Sequence, residues 1–218
     1  MATRASSSFG LTFVDETVPP VAPEQPLGRS YTLLDRGDSV VSPPGGRVYA
    51  CGVTLVWVTG NSGTGKSTVC GVLRARGYVA LDADEDGISR WIDRATGQVV
   101  MDPPDPVPRG WLDRYGWAIV RERVETLVEE SRFRIAFLCG SVENEADVRD
   151  LFDLVVCLVI DEGSLRHRLA TRDTNTFGRH PEELAAALKW NPRLRAIYEN
   201  RGATIIDASK PVSEVADR

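Results

Sequence analysis

The stretch "VWVTGNSGTGKSTVC" constrains the fold of this chain more than any other part of the sequence. It joins an apolar run, typical of a buried strand, to a helical pattern through a glycine-rich turn. The turn, residues 60–67, satisfies the spacing G-x-x-x-x-G-K-[ST]. Glycines let the backbone turn back and present successive N–H groups to phosphate oxygens. The pattern therefore predicts a nucleotide-phosphate site where the first strand ends.

The residue types in this turn predict separate contacts with a nucleoside triphosphate. We expect Lys66 to reach the β- and γ-phosphates and Ser67 to offer its hydroxyl to Mg²⁺. The positive end of the following helix adds to the attraction for phosphate. The predicted nucleotide contacts are Gly60, Asn61, Ser62, Gly63, Thr64, Gly65, Lys66, Ser67 and Thr68. ATP and Mg²⁺ are therefore the expected cofactors.

Apolar strands alternate with helical patterns over the rest of the chain, which is typical of stacked β-α units. The candidate strands are Val53–Thr59, Tyr78–Asp82, Arg134–Cys139, Leu154–Ile160 and Ala203–Ile206. Helical patterns begin near Lys66, Asp84, Trp111, Asn144, Glu162 and Pro181. The order predicts an α/β fold with a doubly wound, mostly parallel five-stranded sheet.

The chain divides into two parts by composition. Residues 1–52 contain "ETVPPVAPEQPLGRS" and "VVSPPGGR", and prolines at this density neither continue helices nor supply ladder donors. We expect a poorly ordered or peripherally packed leader there, followed by one nucleotide-binding domain over residues 53–218. A short hairpin within "SYTLLDRGDSVV" is the only element that the leader suggests.

Charge and cysteine content narrow the choice of partners. The net charge of -5 leaves no basic footprint, so nucleic acid and anionic membrane are not expected as partners. The longest apolar run is shorter than the roughly 20 residues that cross a bilayer. The four scattered cysteines indicate reduced core thiols. We expect a cytoplasmic protein acting on a small molecule, and the sequence leaves its oligomeric state open.

The second strand ends in "LDADEDG", which places two carboxylates at the edge of the sheet where ligands bind. Asp82 is placed to hold Mg²⁺, directly or through water. Asp84 is placed to accept the proton of an attacking hydroxyl, which makes it the candidate base. The alternative is that both acids cap the next helix, as Asp residues often do.

With these motifs in hand, the region from Val53 onward resembles small P-loop kinases of the nucleoside monophosphate kinase-like group, and "GNSGTGKST" with "LDADE" is most similar to the shikimate and gluconate kinase type. That resemblance implies transfer of the γ-phosphoryl group of ATP to a small molecule. Its D-x-D pattern, which serves metal and substrate, falls on Asp82 and Asp84. The third strand departs from the group because it ends "FLCGS", which leaves the identity of the acceptor open. Gly140, at this strand end, is a candidate substrate contact.

Positive residues downstream are candidates for closing over the phosphates. Arg168 and Arg172 are four apart and share one helix face, and Arg179 follows in a glycine-containing stretch. The resemblance implies that Arg168 lies against adenine and that Arg172 contacts phosphate during catalysis. A solvated basic face is the alternative. The resemblance also assigns the loop after the last strand to adenine, through Asp207, Ala208, Ser209 and Pro211.

The acceptor region is expected between Asp84 and the helix after Trp111, where Arg90 and Arg94 are candidate substrate contacts. An acid at Asp84 favours a hydroxyl acceptor, because a hydroxyl must lose its proton and a phosphate need not. Several arginines, Arg109 among them, would instead suit a nucleoside monophosphate. A nucleotide-dependent switch is a third possibility, since Asp84 to Gly87 match D-x-x-G, although no N-K-x-D motif is present.

Overall fold

A computed structural model describes residues 55–104, 108, 110–131, 134–172, 178 and 181–218. The strands are β1 Leu55–Gly60, β2 Val79–Asp82, β3 Ser89–Asp93, β4 Tyr115–Ile119, β5 Ala136–Cys139, β6 Leu154–Val159 and β7 Thr204–Asp207. The helices are α1 Lys66–Ala75, α2 Trp111–Arg114, α3 Arg121–Glu130, α4 Glu145–Val148, α5 Glu162–Thr171, α6 Pro181–Asn200 and α7 Val212–Ala216. A 3₁₀ turn, Arg149–Leu151, follows α4. The predicted leader, residues 1–52, lies outside the described residues.

Five strands form one parallel sheet in the order β2-β5-β1-β6-β7. The predicted α/β class and the five parallel strands are therefore confirmed. Wherever the structure describes both ends of a predicted strand, the observed ends lie within two residues of the expected ones. β1 lies at the centre, with the chain passing first to one side and then to the other. The loop after β1 thus opens into the crevice where such sheets bind ligands.

The sheet is covered on both faces, and successive apolar residues of its central strand point alternately into the two cores. Leu55 and Trp57 pack into a core cluster with α3 and α6. Val56 and Val58 pack into a second cluster with α1 and α7. All four side chains are buried, which explains why this strand reads as a continuous apolar run.

Strands β3 and β4 form an antiparallel hairpin beside the main sheet, and the sequence prediction was wrong here. A helix was expected from Asp84, but the chain makes a turn there and enters β3. The Oδ1 atom of Asp82 accepts the backbone N–H groups of Asp84 and Glu85, which supports this turn in place of a helical one. Gly87 follows with a φ of 70°, and the strand begins two residues later.

Two other helices differ from expectation. The helix predicted from Trp111 has four residues and leads into β4, and a ten-residue helix starts instead at Arg121. The helix near Asn144 is likewise short. Three of the cysteines, Cys70, Cys139 and Cys157, are buried free thiols, as predicted, whereas Cys51 lies outside the described residues. Among the described residues, no helix combines the length and apolar character needed to span a membrane.

Candidate active site

The loop between β1 and α1 is curled around its own lysine. Lys66 Nζ donates to the carbonyl oxygens of Gly60 and Asn61, at 2.9 Å each. Thr64 Oγ1 donates to the Asn61 carbonyl at 2.8 Å, which closes the loop further. Burial lowers the pKa of Lys66, while the nearby carboxylates of Asp84 and Asp82 oppose that effect. The loop is therefore organised around one cation at its centre.

Gly60 starts this loop in a conformation that a side chain would not tolerate. Its φ is 144°, and a Cβ atom there would lie 2.5 Å from the carbonyl oxygen of Leu158 on β6. Only glycine allows the chain to leave the sheet this close to the neighbouring strand. The first glycine of the motif is thus required by the packing of β1 against β6.

Two arginines of the α5 region lie against the loop. Arg168 is within α5, whereas Arg172 follows its last residue in an extended conformation, so the two do not share a helix face as expected. Arg168 donates from Nη1 to the Thr64 carbonyl at 3.2 Å and from Nη2 to the Ala208 carbonyl at 2.7 Å. Arg172 Nη1 lies 3.2 Å from Ser62 Oγ, to which it donates. Two guanidinium groups therefore join Lys66 around the loop, which suits a polyphosphate.

A cavity of about 460 Å³ opens above the loop. All nine predicted loop contacts line it, residues 60–68, together with Asp84, Arg168, Arg172 and Ala208. Side chains that the sequence analysis did not name also line it: Trp117, Ser141, Trp190, Leu194, Tyr198 and Lys210. Its volume falls in the range of roughly 300–1,000 Å³ that is usual for small-molecule sites.

The two carboxylates of the D-x-D pattern have different surroundings. Asp82 is buried and its Oδ1 accepts backbone N–H groups of Asp84, at 3.0 Å, and Glu85, at 3.3 Å. Asp84 lines the cavity with Lys66 and Ser67. Asp82 therefore shapes the turn, and Asp84 is the carboxylate that faces the loop.

Asp84 is held by an indole from the unpredicted hairpin. Trp117 Nε1 donates to Asp84 Oδ1 at 2.8 Å. Burial raises the pKa of Asp84 to about 6, with Asp82 adding to the rise and the Trp117 hydrogen bond opposing it. A carboxylate with a pKa near neutrality is well matched to proton transfer at physiological pH.

A second cavity, of about 680 Å³, adjoins the first. Asp84 and Trp117 line both cavities, so they mark the junction between the two. The rest of its lining is Glu85, Asp86, Gly87, Arg90, Trp91, Val100, Met101 and Pro103. The hairpin and the turn after β2 therefore enclose a space next to the phosphate loop.

Two of the predicted substrate contacts lie away from both cavities. Arg94 is bound to Glu143 through two hydrogen bonds, from Nε at 2.9 Å and from Nη2 at 2.8 Å. Gly140 packs so closely on the turn after β2 that a Cβ atom would lie 2.4 Å from Ala83 Cβ. Its neighbour Ser141 lines the first cavity instead and donates to the Gly60 carbonyl. Arg90 lines the second cavity.

The loop after β7 reaches the first cavity through Ala208 and Lys210. The other predicted contacts of this loop, Asp207, Ser209 and Pro211, do not line the cavity. The Asp207 carboxylate accepts the Ser209 N–H at 2.9 Å, and Pro211 occupies the N-cap position of α7. Arg109 and Arg179 lie outside the described residues.

No pattern in the sequence marks the tryptophan at the junction. Burial alternates over most of "SRWID" and "YGWAI" in the structure, but the residue types themselves do not alternate between apolar and polar. Trp190 and Tyr198 lie on α6, which carries apolar residues on several sides, so no periodic pattern indicates which of them faces a ligand.

The residues near the loop fit a magnesium ion. Mg²⁺ takes oxygen ligands, commonly one or two protein groups with the rest from water and phosphate. The exposed hydroxyl of Ser67 lines the first cavity. Asp82 is the last residue of β2 and stands two positions before Asp84. Among the described residues, no group of three or more metal-binding side chains is present, so the protein offers no complete cage for an ion.

Comparisons with family models and with curated proteins found no match. Solved structures gave matches, among them a gluconokinase from Sinorhizobium meliloti with 18% identity over 76% of this chain and 88% of that one, at a TM-score of 0.40. A shikimate kinase from Aquifex aeolicus has 16% identity over 75% and 92% of the two chains, at a TM-score of 0.44. A shikimate kinase from Bacteroides thetaiotaomicron has 18% identity over 76% and 95%, at 0.46. At identities and TM-scores this low, these likenesses say nothing about the activity of this chain, and its fold rests on the sheet order described above.

Proposed function

We propose that this protein is an ATP-dependent kinase that transfers the γ-phosphoryl group to a hydroxyl of a small metabolite. The supporting observation is that Asp84 lines two adjoining cavities. One cavity contains the phosphate loop, and the other is bounded by the hairpin. A base at this junction can reach an acceptor on one side and the transferred phosphoryl group on the other.

Each part of the first cavity has a role in this reaction. Lys66 and Arg172 would supply positive charge to the phosphates, which is the main way that proteins assist phosphoryl transfer. Arg168, which bridges the Thr64 and Ala208 carbonyls, would lie against the adenine. Ala208 and the neighbouring loop would contact the base of the nucleotide. Asp84 accepts the proton that the acceptor hydroxyl loses as it attacks.

Magnesium belongs to this proposal through Ser67 and Asp82. Ser67 would bind the ion directly, and Asp82 would act through water, because its Oδ1 is already engaged by backbone N–H groups. When bound, the ion neutralises charge on the β- and γ-phosphates. We also place the protein in the cytoplasm, where ATP is plentiful.

A nucleoside monophosphate acceptor is the second candidate, and the ion pairs of the hairpin weigh against it. A phosphate acceptor needs several free arginines near the transferred group. Arg94 is engaged by Glu143, which leaves Arg90 as the arginine of the second cavity among the described residues. Asp84, Glu85 and Asp86 line the same cavity and would repel a phosphate.

The test is incubation with ATP, Mg²⁺ and a panel of hydroxylated metabolites and nucleoside monophosphates, followed by mass spectrometry. A mass gain of one phosphate on a hydroxyl compound supports the proposal. A gain only on monophosphates selects the second candidate. ATP hydrolysis with no phosphorylated product indicates a nucleotide-dependent switch. Lys66→Ala is the control, because it removes the central cation, and we expect it to keep the fold since Lys66 Nζ bonds to loop carbonyls.

A further inference from the structure

Trp117 connects the hairpin to the reacting carboxylate. It lies on β4 opposite Trp91 of β3, with the ring centroids 5.3 Å apart and the planes at 71°. Its backbone carbonyl accepts the N–H of Glu143 at 3.1 Å. Its indole N–H donates to Asp84. One residue therefore joins the hairpin, the segment after β5 and the turn after β2.

The hairpin is itself fixed to the segment after β5, so Trp117 has little freedom to move. Glu143 binds Arg94, which follows β3, through a bidentate ion pair whose two side chains are 17% and 26% exposed. Gly116 makes room for this contact, because a Cβ atom there would overlap the Glu143 carboxylate. A bidentate ion pair is geometrically specific. The position of the indole is thus set from two directions.

Among the residues that the structure describes, none other than Trp117 forms a hydrogen bond with the Asp84 carboxylate. Its backbone N–H is held by Asp82, but an Asp side chain can rotate broadly about its last torsion. The 2.8 Å bond from Trp117 Nε1 selects one orientation and occupies Oδ1. The other carboxylate oxygen then remains for an acceptor at the junction of the cavities.

Building on the proposed function, we propose that Trp117 is a positioning residue that orients Asp84 toward the acceptor hydroxyl. It also forms the wall that the nucleotide cavity shares with the acceptor cavity. The hairpin therefore presents the base as well as enclosing the acceptor.

The contact can be tested without any acceptor, through the indole N–H signals in a two-dimensional ¹H–¹⁵N spectrum of the full chain. The sequence has five tryptophans, and the signal of Trp117 is the one that Trp117→Phe removes. Asp84→Asn replaces the charged carboxylate that receives this hydrogen bond by a neutral amide. The Trp117 signal should therefore shift strongly, and the signals of the other four tryptophans should shift little. A Trp117 signal that stays in place in Asp84→Asn overturns the inference.

The effect on the reaction is measured with a hydroxyl acceptor that the panel identifies. Trp117→Phe should lower kcat by about 10- to 100-fold, since a small misplacement of a reacting group costs that much, and leave the KM for ATP within about twofold. Trp117→His keeps a ring N–H and should recover part of the rate. An unchanged kcat in Trp117→Phe overturns the inference.

Trp111→Phe is the matched control, because it removes an indole N–H from the same aromatic cluster. The Trp111 ring packs edge-on against Trp91 at 5.8 Å, and its Nε1 has no hydrogen-bond partner among the described residues. It should keep wild-type kinetics, and a loss equal to that of Trp117→Phe would assign the effect to packing and overturn the inference. If Trp117→Phe fails to fold, the inference is tested by the shift of the Trp117 signal in Asp84→Asn and by the kcat of Trp117→His, which also identifies that signal by removing it. A panel without any phosphorylated acceptor contradicts the proposed function, whereas an unshifted Trp117 signal contradicts this inference alone.

Discussion

Asp84 should cost the folded protein stability at neutral pH, and Asp84→Asn should recover it. Burial raises the pKa of this carboxyl from 3.8 to about 6, so its charged form is less favourable in the folded state than in the unfolded chain. A rise of that size in the pKa corresponds to a free-energy cost of about 3 kcal/mol for keeping the carboxylate charged in the folded state. Because Asp84 is only partly buried, we expect about 2 kcal/mol after allowance for solvent.

The sign of the pH dependence follows from proton binding. Between about pH 4 and pH 6 the folded protein holds a proton on Asp84 that the unfolded chain has lost, so stability falls as the pH rises. This loss of folding stability is complete once the pH is above the pKa of Asp84 in the folded protein. Asp82, Glu85 and Lys66 are the charged groups that also act on Asp84, with only Lys66 favouring its charged form.

Asp84→Asn removes the charge and keeps an oxygen for the Trp117 indole. Urea unfolding at pH 4 should give similar stabilities for the wild type and the variant. At pH 8 the variant should be more stable by about 2 kcal/mol, which moves the urea midpoint by about 1 M. Glu85→Gln, which removes an exposed carboxylate from the same turn, controls for the loss of one charge. A stability difference that does not change between pH 4 and pH 8 would refute the reasoning.

Three further predictions concern the loop and its supports. Lys66→Ala should abolish ATP turnover with unchanged circular dichroism, because Lys66 Nζ contacts only loop carbonyls among the hydrogen bonds described. Gly140→Ala should lower the free energy of unfolding by about 1–3 kcal/mol, since its Cβ would meet Ala83, whereas Gly71→Ala on α1, with open space around it, should not destabilise. Arg168→Ala should weaken ATP binding in calorimetry by about tenfold, because the arginine bridges the loop and the Ala208 carbonyl.

The sheet and the phosphate loop could be predicted because local signals determine them. A strand buried on both faces reads as an apolar run, and Leu55 to Val58 do so. The loop spacing depends on glycine conformation and on one lysine, which are properties of a few adjacent residues. The shared helix face expected of Arg168 and Arg172 was wrong, because α5 ends at Thr171 and Arg172 follows it in an extended conformation.

The hairpin could not be predicted as reliably because distant residues stabilise it. "DADEDG" contains good helix-start residues, yet the Asp82 side chain turns the backbone toward a strand. Arg94 looked available to a substrate, and only the fold brings it to Glu143, which is 49 positions away. Likewise, Trp117 reaches Asp84 across 33 positions. Such contacts leave no local pattern in the sequence.

The most direct test of the proposed function follows the γ-phosphoryl group itself. ATP labelled at that position is incubated with the protein, Mg²⁺ and the hydroxylated panel, and the products are separated into free phosphate and organic phosphate. The proposal predicts label on a hydroxyl compound, with the rate strongly reduced in Asp84→Asn while ATP affinity is kept. Label that appears only as free phosphate, or an Asp84→Asn variant with the full transfer rate, would contradict it.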